Sequence, residues 1–273
     1  MSSPADLLTQ YGLAVVFAWT FAVQAGAPAP AVPMLLGAGV ASGAGRMDLA
    51  AANTALMRRL VPRLVELSPD AVIVNVTNPV DVITRHIHTV SGFDWRKVIG
   101  TGTLIDTLRF RRRLADETNV NALDLKAYIL GEHGDTAFAA SSGATIGGMS
   151  LARIGDVLGA RQAMVAEAEE EARKVGIEIY QVRGYTNYAV AMAVAMIVDS
   201  IVNDRSNVFP VSVSLGGFCG TAGDVFLSLP CAISRRGVQE RLLPELNDDE
   251  KGLLRRSAEA VRDVIRKTEH LAV

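Results

Sequence analysis

The stretch AVIVNVTNPVDVITRHI, residues 71–87, decides the fold class of this 273-residue chain. Its first part, AVIVNVTN (71–78), is short and β-branched and ends at polar residues, which is typical of a buried parallel strand. Pro79 ends that strand, and a helical segment follows from Asp81 to Val90. Before the strand, leucines recur at helical spacing among arginines and predict an amphipathic helix over 48–67. A strand flanked by two helices indicates an α/β architecture.

The same alternation continues further along the chain. KVIGTGT (97–103) predicts a second short strand, and Leu104 to Glu117 predict a helix with a basic outer face. LKAYILGEHGD (125–135) predicts a strand that runs into a loop. Alternating strands and helices predict a parallel sheet with crossover helices.

The second half of the chain has a different pattern. Residues 160–174 predict a charged, solvent-facing helix, and the alanine- and valine-rich residues 186–203 predict a buried one. VFPVSVSL (208–215) and DVFLSLPCAI (224–233) are separated by a glycine-rich segment. Two such runs predict an antiparallel hairpin.

The last predicted helix covers residues 249–268. Asn247 and Glu250 stand three residues apart at its start and resemble the pair of side chains that forms a capping box. Apolar residues recur along the helix at helical spacing. The face that it buries should therefore carry Leu254, Ala258, Val261 and Ile265.

Composition narrows the range of partners. Hydrophobic residues make up 49% of the chain and charged residues 21%, which predicts a globular protein and excludes a disordered tail. The net charge is -2 with both signs mixed along the chain, and this argues against a nucleic-acid partner. Cys219 and Cys231 are the only cysteines and form no CxxC motif. The sequence therefore predicts a reduced, cytoplasmic protein without a metal site.

The N-terminal segment departs from this composition, because no charged residue lies between Asp6 and Arg46. A secretory signal peptide would carry basic residues before its apolar run, and this segment has none there. Leu7 to Val23 approach the ~20 apolar residues that span a membrane, but a proline-rich stretch follows them. Two interpretations stay open: a buried or unstructured leader, and a membrane-associated segment that contacts lipid through residues 7–40.

One loop and one helix carry residues suited to proton transfer. His133 lies in GEHGD (131–135) after an apolar strand, and histidine is the side chain that changes its charge nearest to neutral pH. Asp106 and Arg109 are three residues apart, so they share one helix face. Taken singly, His133 fits an exposed loop histidine better, and the other two residues fit a local ion pair.

Taken together, the three side chains support a sharper hypothesis. Asp106 would accept the N–H of His133 and stabilise its imidazolium form, while Arg109 would hold a substrate carboxylate with its two-pronged guanidinium. Such a set could reduce a 2-oxo acid when a hydride donor is present. Asn78, at the end of the first strand, would donate to a carbonyl oxygen or hold a cofactor ribose, or would simply end the strand.

Four motifs occur in order along the chain, and they are NPVD (78–81), IGTGTLIDTLRFR (99–111), GEHGDT (131–136) and RGYTNYAVAM (183–192). With these motifs, residues 46–273 resemble the L-lactate/malate dehydrogenase family. The resemblance implies NAD as the cofactor and a small 2-hydroxy or 2-oxo acid as the substrate. It also implies a homotetramer.

The resemblance assigns roles to single residues. His133 would be the catalytic acid/base and Asp106 its partner. The substrate-binding residues that it implies are Arg109, Asn78, Thr186 and Arg46. The residues that it places beside the cofactor are Val76, Thr77, Asn78 and Thr101.

Three details of the resemblance bear on substrate and regulation. RGYTNYA (183–189) is similar to the corresponding segment of the lactate enzymes, which favours lactate over malate. Arg46, in GRMDLAAAN (45–53), would be the arginine of a mobile loop that polarises the substrate carbonyl. Arg111 matches an arginine that binds a sugar bisphosphate in some bacterial lactate enzymes. Lys126 replaces the histidine of that site, so an allosteric phosphate site is one interpretation of these two cations.

The nucleotide-binding part of the resemblance is incomplete. The family begins with a strand and a GxGxxG turn that cradles a pyrophosphate. GAGVASGAG (37–45) contains glycines at GxG spacing, but it lacks the strand and the acidic residue that belong with the full motif. Residues 1–45 resemble the start of a DedA-like membrane protein. We therefore expect an apolar segment over 1–45, a remnant of a dinucleotide-binding domain over 46–103 and a substrate domain over 104–273.

The expected fold is an α/β protein with an incomplete Rossmann-type parallel sheet, followed by an α+β substrate domain. The expected activity is that of an NAD-dependent L-lactate dehydrogenase, impaired by loss of the GxGxxG region. Malate dehydrogenase activity and a non-catalytic, membrane-associated remnant are the alternatives. Loss of the first strands should expose an apolar sheet edge and make the chain poorly soluble or dependent on a partner.

Overall fold

The structure is a computed structural model that describes residues 49–151, 162–183, 186–221 and 223–271. Its helices in those ranges are α1 (Leu49–Leu67), α2 (Val80–Ser91), α3 (Leu104–Thr118), α4 (Gln162–Arg183), α5 (Tyr188–Val202) and α6 (Asp248–Leu271). The strands are β1 (Ile73–Asn75), β2 (Val98–Gly100), β3 (Leu125–Lys126), β4 (Ile129–Leu130), β5 (Phe138–Ala139), β6 (Thr145–Ile146), β7 (Met149–Ser150), β8 (Asn207–Ser214), β9 (Phe226–Ser234) and β10 (Gly237–Arg241). The predicted segment 1–45, its lipid contact at 7–40 and the predicted loop residue Arg46 lie outside the described residues.

β1 and β2 form the parallel pair that the sequence predicts. Ile73 pairs with Val98 and Asn75 with Gly100, and α2 makes the crossover from one strand to the other. Parallel neighbours need such a crossover because a tight turn cannot join them. α1 packs beside α2, and a core cluster that includes β2 holds the two helices together through Val61, Ile83, Ile87 and Val98.

The sheet continues with antiparallel strands. Its order is β1-β2-β8-β9-β10. β8 and β9 pair along their whole length, with Val211 opposite Leu229, so the predicted hairpin is confirmed. β8 meets β2 at a single antiparallel pair, Gly100 opposite Ser212. The parallel arrangement predicted for the sheet therefore holds for β1 and β2, and the sheet as a whole is mixed.

α6 buries the face that its sequence predicts. At its start, Glu250 N donates to Asn247 Oδ1 at 2.8 Å and Asn247 N donates to Glu250 Oε2 at 3.1 Å, which confirms the capping box. Its apolar stripe lies in the core cluster that also contains the inner residues of β8 and β9. The buried positions of the stripe are Leu254, Ala258, Val261 and Ile265.

α4 differs from its prediction in length and in exposure. The helix continues to Arg183, beyond the predicted end at residue 174. Ala168 and Ala172 are buried in a core cluster with residues of α3, so one face of α4 is covered. The many charges of this segment mark its outer face, and the small alanines between them form the inner one.

The prediction that α5 is buried is wrong for most of its surface. Ala193, Ile197 and Ser200 are buried, whereas Tyr188 is 73% and Met192 54% exposed. The apolar residues of this helix are distributed over all of its sides, so its sequence does not indicate which face the core covers. The packing of the described chain covers one face and leaves the other open.

The segment LKAYILGEHGD forms two short strands where one is predicted. β3 pairs with β6, and β4 pairs with β5, all antiparallel. Among the described residues, no helix has both the length and the apolar character needed to cross a membrane. In that same part of the chain, no group of three or more histidine, cysteine or acidic side chains is arranged for a metal ion.

Candidate active site

His133 is carried by a loop between β4 and β5 that is held at several points. Gly131 N donates to Ser228 O at 3.4 Å, and Ser228 N donates to Gly131 O at 2.9 Å. His133 N donates to Asp81 Oδ2 at 2.8 Å. Gly131 has a φ of +89°, and a Cβ at this position would lie 2.6 Å from Ser257 Oγ. The loop therefore requires glycine at its first residue.

Two threonines fix α3 against the strand that precedes this loop. Thr103 Oγ1 donates to Ile129 O at 2.6 Å, and Ile129 N donates to Thr107 Oγ1 at 2.9 Å. Both threonine side chains are fully buried, so water does not compete for these bonds. The bonds hold the first turn of α3, which carries Asp106, in place beside His133.

His133 and Asp106 form a direct pair, with 2.7 Å between Nδ1 and Oδ2. An ionised carboxylate only accepts hydrogen bonds, so Nδ1 carries the proton and Nε2 is left for a substrate. Burial lowers the pKa of His133, but the hydrogen bond and the negative charge of Asp106 outweigh burial and raise that pKa above its ordinary value. This arrangement favours the protonated ring.

Arg109 lies on the same helix face as Asp106. Arg109 Nη1 is 3.7 Å from Asp106 Oδ1, which is too long for a hydrogen bond. The guanidinium lies against Gly176 of α4, where a Cβ would stand 3.0 Å from Nη1. Arg109 therefore keeps N–H donors that can bind a planar carboxylate with two parallel bonds.

These side chains line one cavity of about 280 Å³. Its polar wall contains five of the residues predicted from the sequence, which are Asn78, Asp106, Arg109, His133 and Thr186. Part of the remaining wall is apolar and comes from Ile105, Ala189 and Val190. The cavity thus combines a proton donor, a cation and an apolar surface within the space of a small organic acid.

The predicted cofactor residues stand at the carboxyl ends of β1 and β2, which is where ligands bind in α/β sheets. Thr77 N donates to Asn75 Oδ1 at 2.9 Å, and Thr101 N donates to Asn75 O at 3.0 Å. Val76, between Asn75 and Thr77 in the chain, has an exposed apolar side chain. None of Val76, Thr77 and Thr101 lines the cavity of His133.

Asn78 joins the cofactor edge to the cavity. Its backbone oxygen accepts a hydrogen bond from Asn53 Nδ2 of α1 at 2.7 Å, which fixes the turn after β1. Its side chain lines the cavity. An exposed apolar residue next to an amide side chain suits a group with a flat ring and a sugar hydroxyl, so this edge fits the nicotinamide end of NAD.

Two acidic residues of the site escape the sequence analysis. Asp81 is almost completely buried beneath the loop of His133, and burial raises its pKa to about 6, although its hydrogen bond with the His133 amide lowers it. Glu169 lines the cavity from α4 and accepts from Arg173 Nη2 at 2.7 Å. Burial raises the pKa of Glu169 despite that arginine. Asp81 stands in the NPVD motif, whereas nothing local marks Glu169, because α4 is predicted to face solvent.

The two cations predicted for a phosphate site lie on neighbouring elements. Arg111 Nε donates to Ala127 O at 2.7 Å, and its guanidinium stacks 4.6 Å from the centre of the Tyr128 ring. Burial lowers the pKa of Arg111, and its Nη2 has no partner among the described residues. Lys126 Nζ donates to Leu123 O at 3.0 Å.

Comparisons with known proteins identify the family of this chain. Residues 103–272 match the model of the lactate/malate dehydrogenase, alpha/beta C-terminal domain, and residues 29–100 match the model of the lactate/malate dehydrogenase, NAD binding domain. The L-lactate dehydrogenase B chain of Xenopus laevis is 36% identical over 221 residues, which are 80% of this chain and 66% of that protein. The L-lactate dehydrogenase of Acetivibrio thermocellus is 38% identical over 232 residues, 84% of this chain and 73% of that protein.

A solved structure has the same fold. The crystal structure of a lactate dehydrogenase enzyme from a Medee basin deep-sea metagenome library superposes with a TM-score of 0.78 and 27% identity, over 81% of this chain and 71% of that one. This chain spans about 66% of the length of the vertebrate relatives that it matches. Because its N-terminal match is to an NAD-binding domain, NAD is the cofactor that goes with this fold. The chain belongs to the lactate/malate dehydrogenase family.

Proposed function

We propose that this protein is an NAD-dependent oxidoreductase that transfers hydride between NAD(H) and a small 2-hydroxy or 2-oxo acid, with lactate and pyruvate as the pair. The observation that carries the proposal is the cavity in which His133, paired with Asp106, and Arg109 meet. The names of the relatives support lactate and pyruvate in particular.

Each side chain has a separate task in the reduction of a 2-oxo acid. The two N–H groups of Arg109 bind the substrate carboxylate and so place the adjacent carbonyl in the cavity. His133 Nε2 donates its proton to the carbonyl oxygen as that oxygen gains negative charge, and the product is a hydroxyl group. Asp106 stabilises the imidazolium before the transfer. In the reverse direction, neutral His133 takes the proton from the hydroxyl.

NAD(H), when bound, supplies or accepts the hydride at the substrate carbon. Asn78, Val76, Thr77 and Thr101 would hold its nicotinamide end, since they stand at the carboxyl ends of the parallel pair β1 and β2. Residues 1–45 contain no GxGxxG sequence, so we further propose that NAD binding is weak in this chain. Arg46 would approach the carbonyl from its own loop.

The wall of the cavity favours a substrate with a small apolar group. Ile105, Ala189 and Val190 would contact the methyl group of pyruvate, and Thr186 would face the substrate. Arg173 also lines the cavity, and a second substrate carboxylate could bind there. For this reason malate dehydrogenase is the second candidate. Glu169 already neutralises Arg173, which favours pyruvate over oxaloacetate.

The assembly and regulation are proposed on the same basis. A homotetramer in the cytoplasm would cover the exposed face of α5, and Arg111 with Lys126 would form an allosteric phosphate site at a subunit interface. In such a site, Arg111 Nη2, which has no hydrogen-bond partner among the described residues, would donate to the phosphate. The segment 7–40 would provide a membrane contact at the N-terminal side of the dehydrogenase part, and a non-catalytic, membrane-associated remnant is the remaining alternative.

Binding is tested first, by titration of the purified chain with NADH and measurement of the change in NADH fluorescence. Weak binding, between micromolar and millimolar NADH, followed by faster turnover of pyruvate than of oxaloacetate supports the proposal. Micromolar binding would contradict the weak binding proposed here and would mean that the chain forms a nucleotide site without the GxGxxG turn. Faster turnover of oxaloacetate establishes the malate enzyme. Absence of binding at millimolar NADH means that the chain is the non-catalytic remnant.

The role of Arg109 is tested with a matched pair of variants. Arg109→Gln should raise the KM for pyruvate by about 10²-fold or more, because two charge-assisted hydrogen bonds to the carboxylate are lost. Arg112→Gln is the control. It removes an exposed arginine of the same helix that pairs with Asp116, and it should leave the KM for pyruvate unchanged. Equal effects of the two substitutions would remove Arg109 from the substrate site.

A further inference from the structure

Ser257 lies in the middle of α6 and is completely buried, yet it contacts the loop of His133 instead of its own helix. Neither its position in the chain nor its type singles it out in the sequence. We propose that Ser257 is a positioning residue that holds the His133 loop in its active shape. This inference rests on the proposed function, since it assigns a role within the same site.

The hydroxyl of Ser257 joins both ends of the loop. Glu132 N donates to Ser257 Oγ at 2.8 Å, immediately before His133. Ser257 Oγ donates to Thr136 O at 3.1 Å, at the end of the loop, and Thr136 Oγ1 lies 2.8 Å from Ser257 Oγ. Thr136 Oγ1 in turn donates to Glu132 Oε2 at 2.5 Å. One hydroxyl thus acts as acceptor and donor for the residues on either side of His133.

A second helix holds the next backbone amide of the loop. His133 N donates to Asp81 in α2, while the amide of Glu132 donates to Ser257 in α6. Two successive amides are therefore bound by two different helices, and this fixes the direction in which the backbone presents the imidazole. A Cβ on Gly131 would lie 2.6 Å from Ser257 Oγ, so the loop backbone packs closely against α6 at this point.

Loss of the hydroxyl has a defined effect on the imidazole. Without it, the partly buried amide of Glu132 loses its acceptor, and the loop must shift to find another. A shift lengthens the 2.7 Å bond between His133 and Asp106, on which the proton affinity of the ring depends. Since burial favours the neutral ring, a weaker bond to Asp106 should lower the pKa of His133.

Ser200 offers a matched control. It is also completely buried, and its hydroxyl likewise joins two segments, since it donates to Ile233 O at 2.7 Å and accepts from Asn207 N at 3.2 Å. It does not line the cavity of His133. Ser200→Ala and Ser257→Ala therefore remove equivalent hydroxyls, one away from the site and one beside its loop.

The test is an NMR titration of the four histidines of the full chain, with the His133 signal identified by its loss in His133→Asn. Thermal melting of each variant is measured in parallel. Both serine variants should lower Tm, whereas Ser257→Ala should in addition lower the pKa of His133 by about 0.5 or more. Ser200→Ala should leave that pKa unchanged. Equal pKa values of His133 in all three proteins would overturn the proposal and leave Ser257 with a structural role alone.

A second variant guards against failure of Ser257→Ala to fold. Thr136→Val keeps the shape of the side chain and removes one hydroxyl of the same network. Like Ser257→Ala, it should therefore lower the pKa of His133. An unchanged pKa in this variant would count against the proposal. The titration requires neither NADH nor turnover, so its outcome is separate from that of the dehydrogenase assay. In an active chain, Ser257→Ala should lower kcat more than it changes the KM for pyruvate.

Discussion

Asp106 lies between the imidazole of His133 and the guanidinium of Arg109 and contacts the two at different distances. Its Oδ2 binds the ring of His133 at 2.7 Å, and its Oδ1 stands 3.7 Å from Arg109. The short contact raises the pKa of the imidazole, while the longer one leaves the guanidinium free for a substrate. One carboxylate thereby sets a proton donor and an anion-binding group side by side without neutralising either.

Asp106→Asn should therefore lower the pKa of His133. The protonated ring is required for reduction of a 2-oxo acid, so the rate of pyruvate reduction should begin to fall at a lower pH than in the parent chain. At neutral pH we expect a loss of ~10²-fold or more in kcat. The pH dependence of turnover measures both effects. Asp116→Asn, in which an exposed aspartate of the same helix is changed, should leave the profile in place.

Asp81→Asn should change how stability depends on pH. The pKa of Asp81 is raised in the folded chain to about 6, so its contribution to stability is complete below pH 4 and is lost as the pH rises towards 6. The free energy of unfolding of the parent chain, relative to the variant, should fall by about 3 kcal/mol across that window. Urea unfolding between pH 4 and 7 measures it, and a constant difference between the two proteins would contradict the assignment.

The residues of the cavity divide into those that the sequence reveals and those that it hides. His133, Asp106 and Arg109 were predictable because their types and spacing already describe a proton donor, its partner and a carboxylate clamp. Ser257 was not, because a buried serine on an apolar helix face looks like part of the core until the loop that it meets is known. Its contacts join residues more than 120 positions apart in the chain.

At the scale of elements, α6 is built around a cap that also holds a distant segment. Glu250 accepts from Ser142 N at 2.9 Å in addition to its bond with Asn247, and it is almost completely buried. The start of α6 is therefore tied to the chain that follows β5. The helix that carries Ser257 is anchored at its first turn as well as along its apolar stripe.

Asn247→Ala should lower the free energy of unfolding by about 1 kcal/mol, because the backbone amide of Glu250 loses its hydrogen bond to the Asn247 side chain. Urea unfolding at pH 7 is the measurement. Asp248→Ala serves as the control, since that carboxylate is almost fully exposed and pairs only with the nearby Lys251 within the described chain. A loss that is equally large in the control would show that the cap contributes nothing specific.

Elements with one clear apolar face were predictable, and elements without one were not. α6 and the β8–β9 hairpin each combine a periodic pattern with a turn or cap, so their bounds and buried faces follow from the sequence. α5 has no polar side to orient it, and its burial was predicted wrongly. The mixed order of the sheet depends on how β8 meets β2, a contact of one residue pair that leaves no local signal.

At the scale of the whole molecule, the described surface carries exposed apolar side chains at several places, and two helices present more than one of them along an open face. α5 presents Tyr188, Met192, Val198 and Val202, and α1 presents Leu64 and Leu67. Surfaces of this kind are usually covered by another subunit or by further chain. Among the described strands, β1 stands at one end of the five-stranded sheet.

We expect the purified chain to associate in a concentration-dependent manner. Sedimentation velocity over a range of protein concentrations measures this directly, and a defined tetramer would support the proposed assembly. Met192→Lys should weaken the association, because it places a charge in the middle of the exposed face of α5. A monomer that stays soluble and melts cooperatively would contradict the expectation, and it would favour residues 1–45 as a cap over the predicted edge.

The two bonds between Gly131 and Ser228 attach the His133 loop to β9 as an additional rung of the long hairpin. Thr103 N also donates to the Ser228 hydroxyl at 3.0 Å, so the start of α3 is fastened to the same rung. The amide hydrogens of Gly131 and Ser228 should consequently exchange with deuterium only when the hairpin itself comes apart. Because the start of the His133 loop and the start of α3 are attached to the same residue of β9, His133 and Asp106 of the parent chain should stay paired for as long as the sheet remains folded.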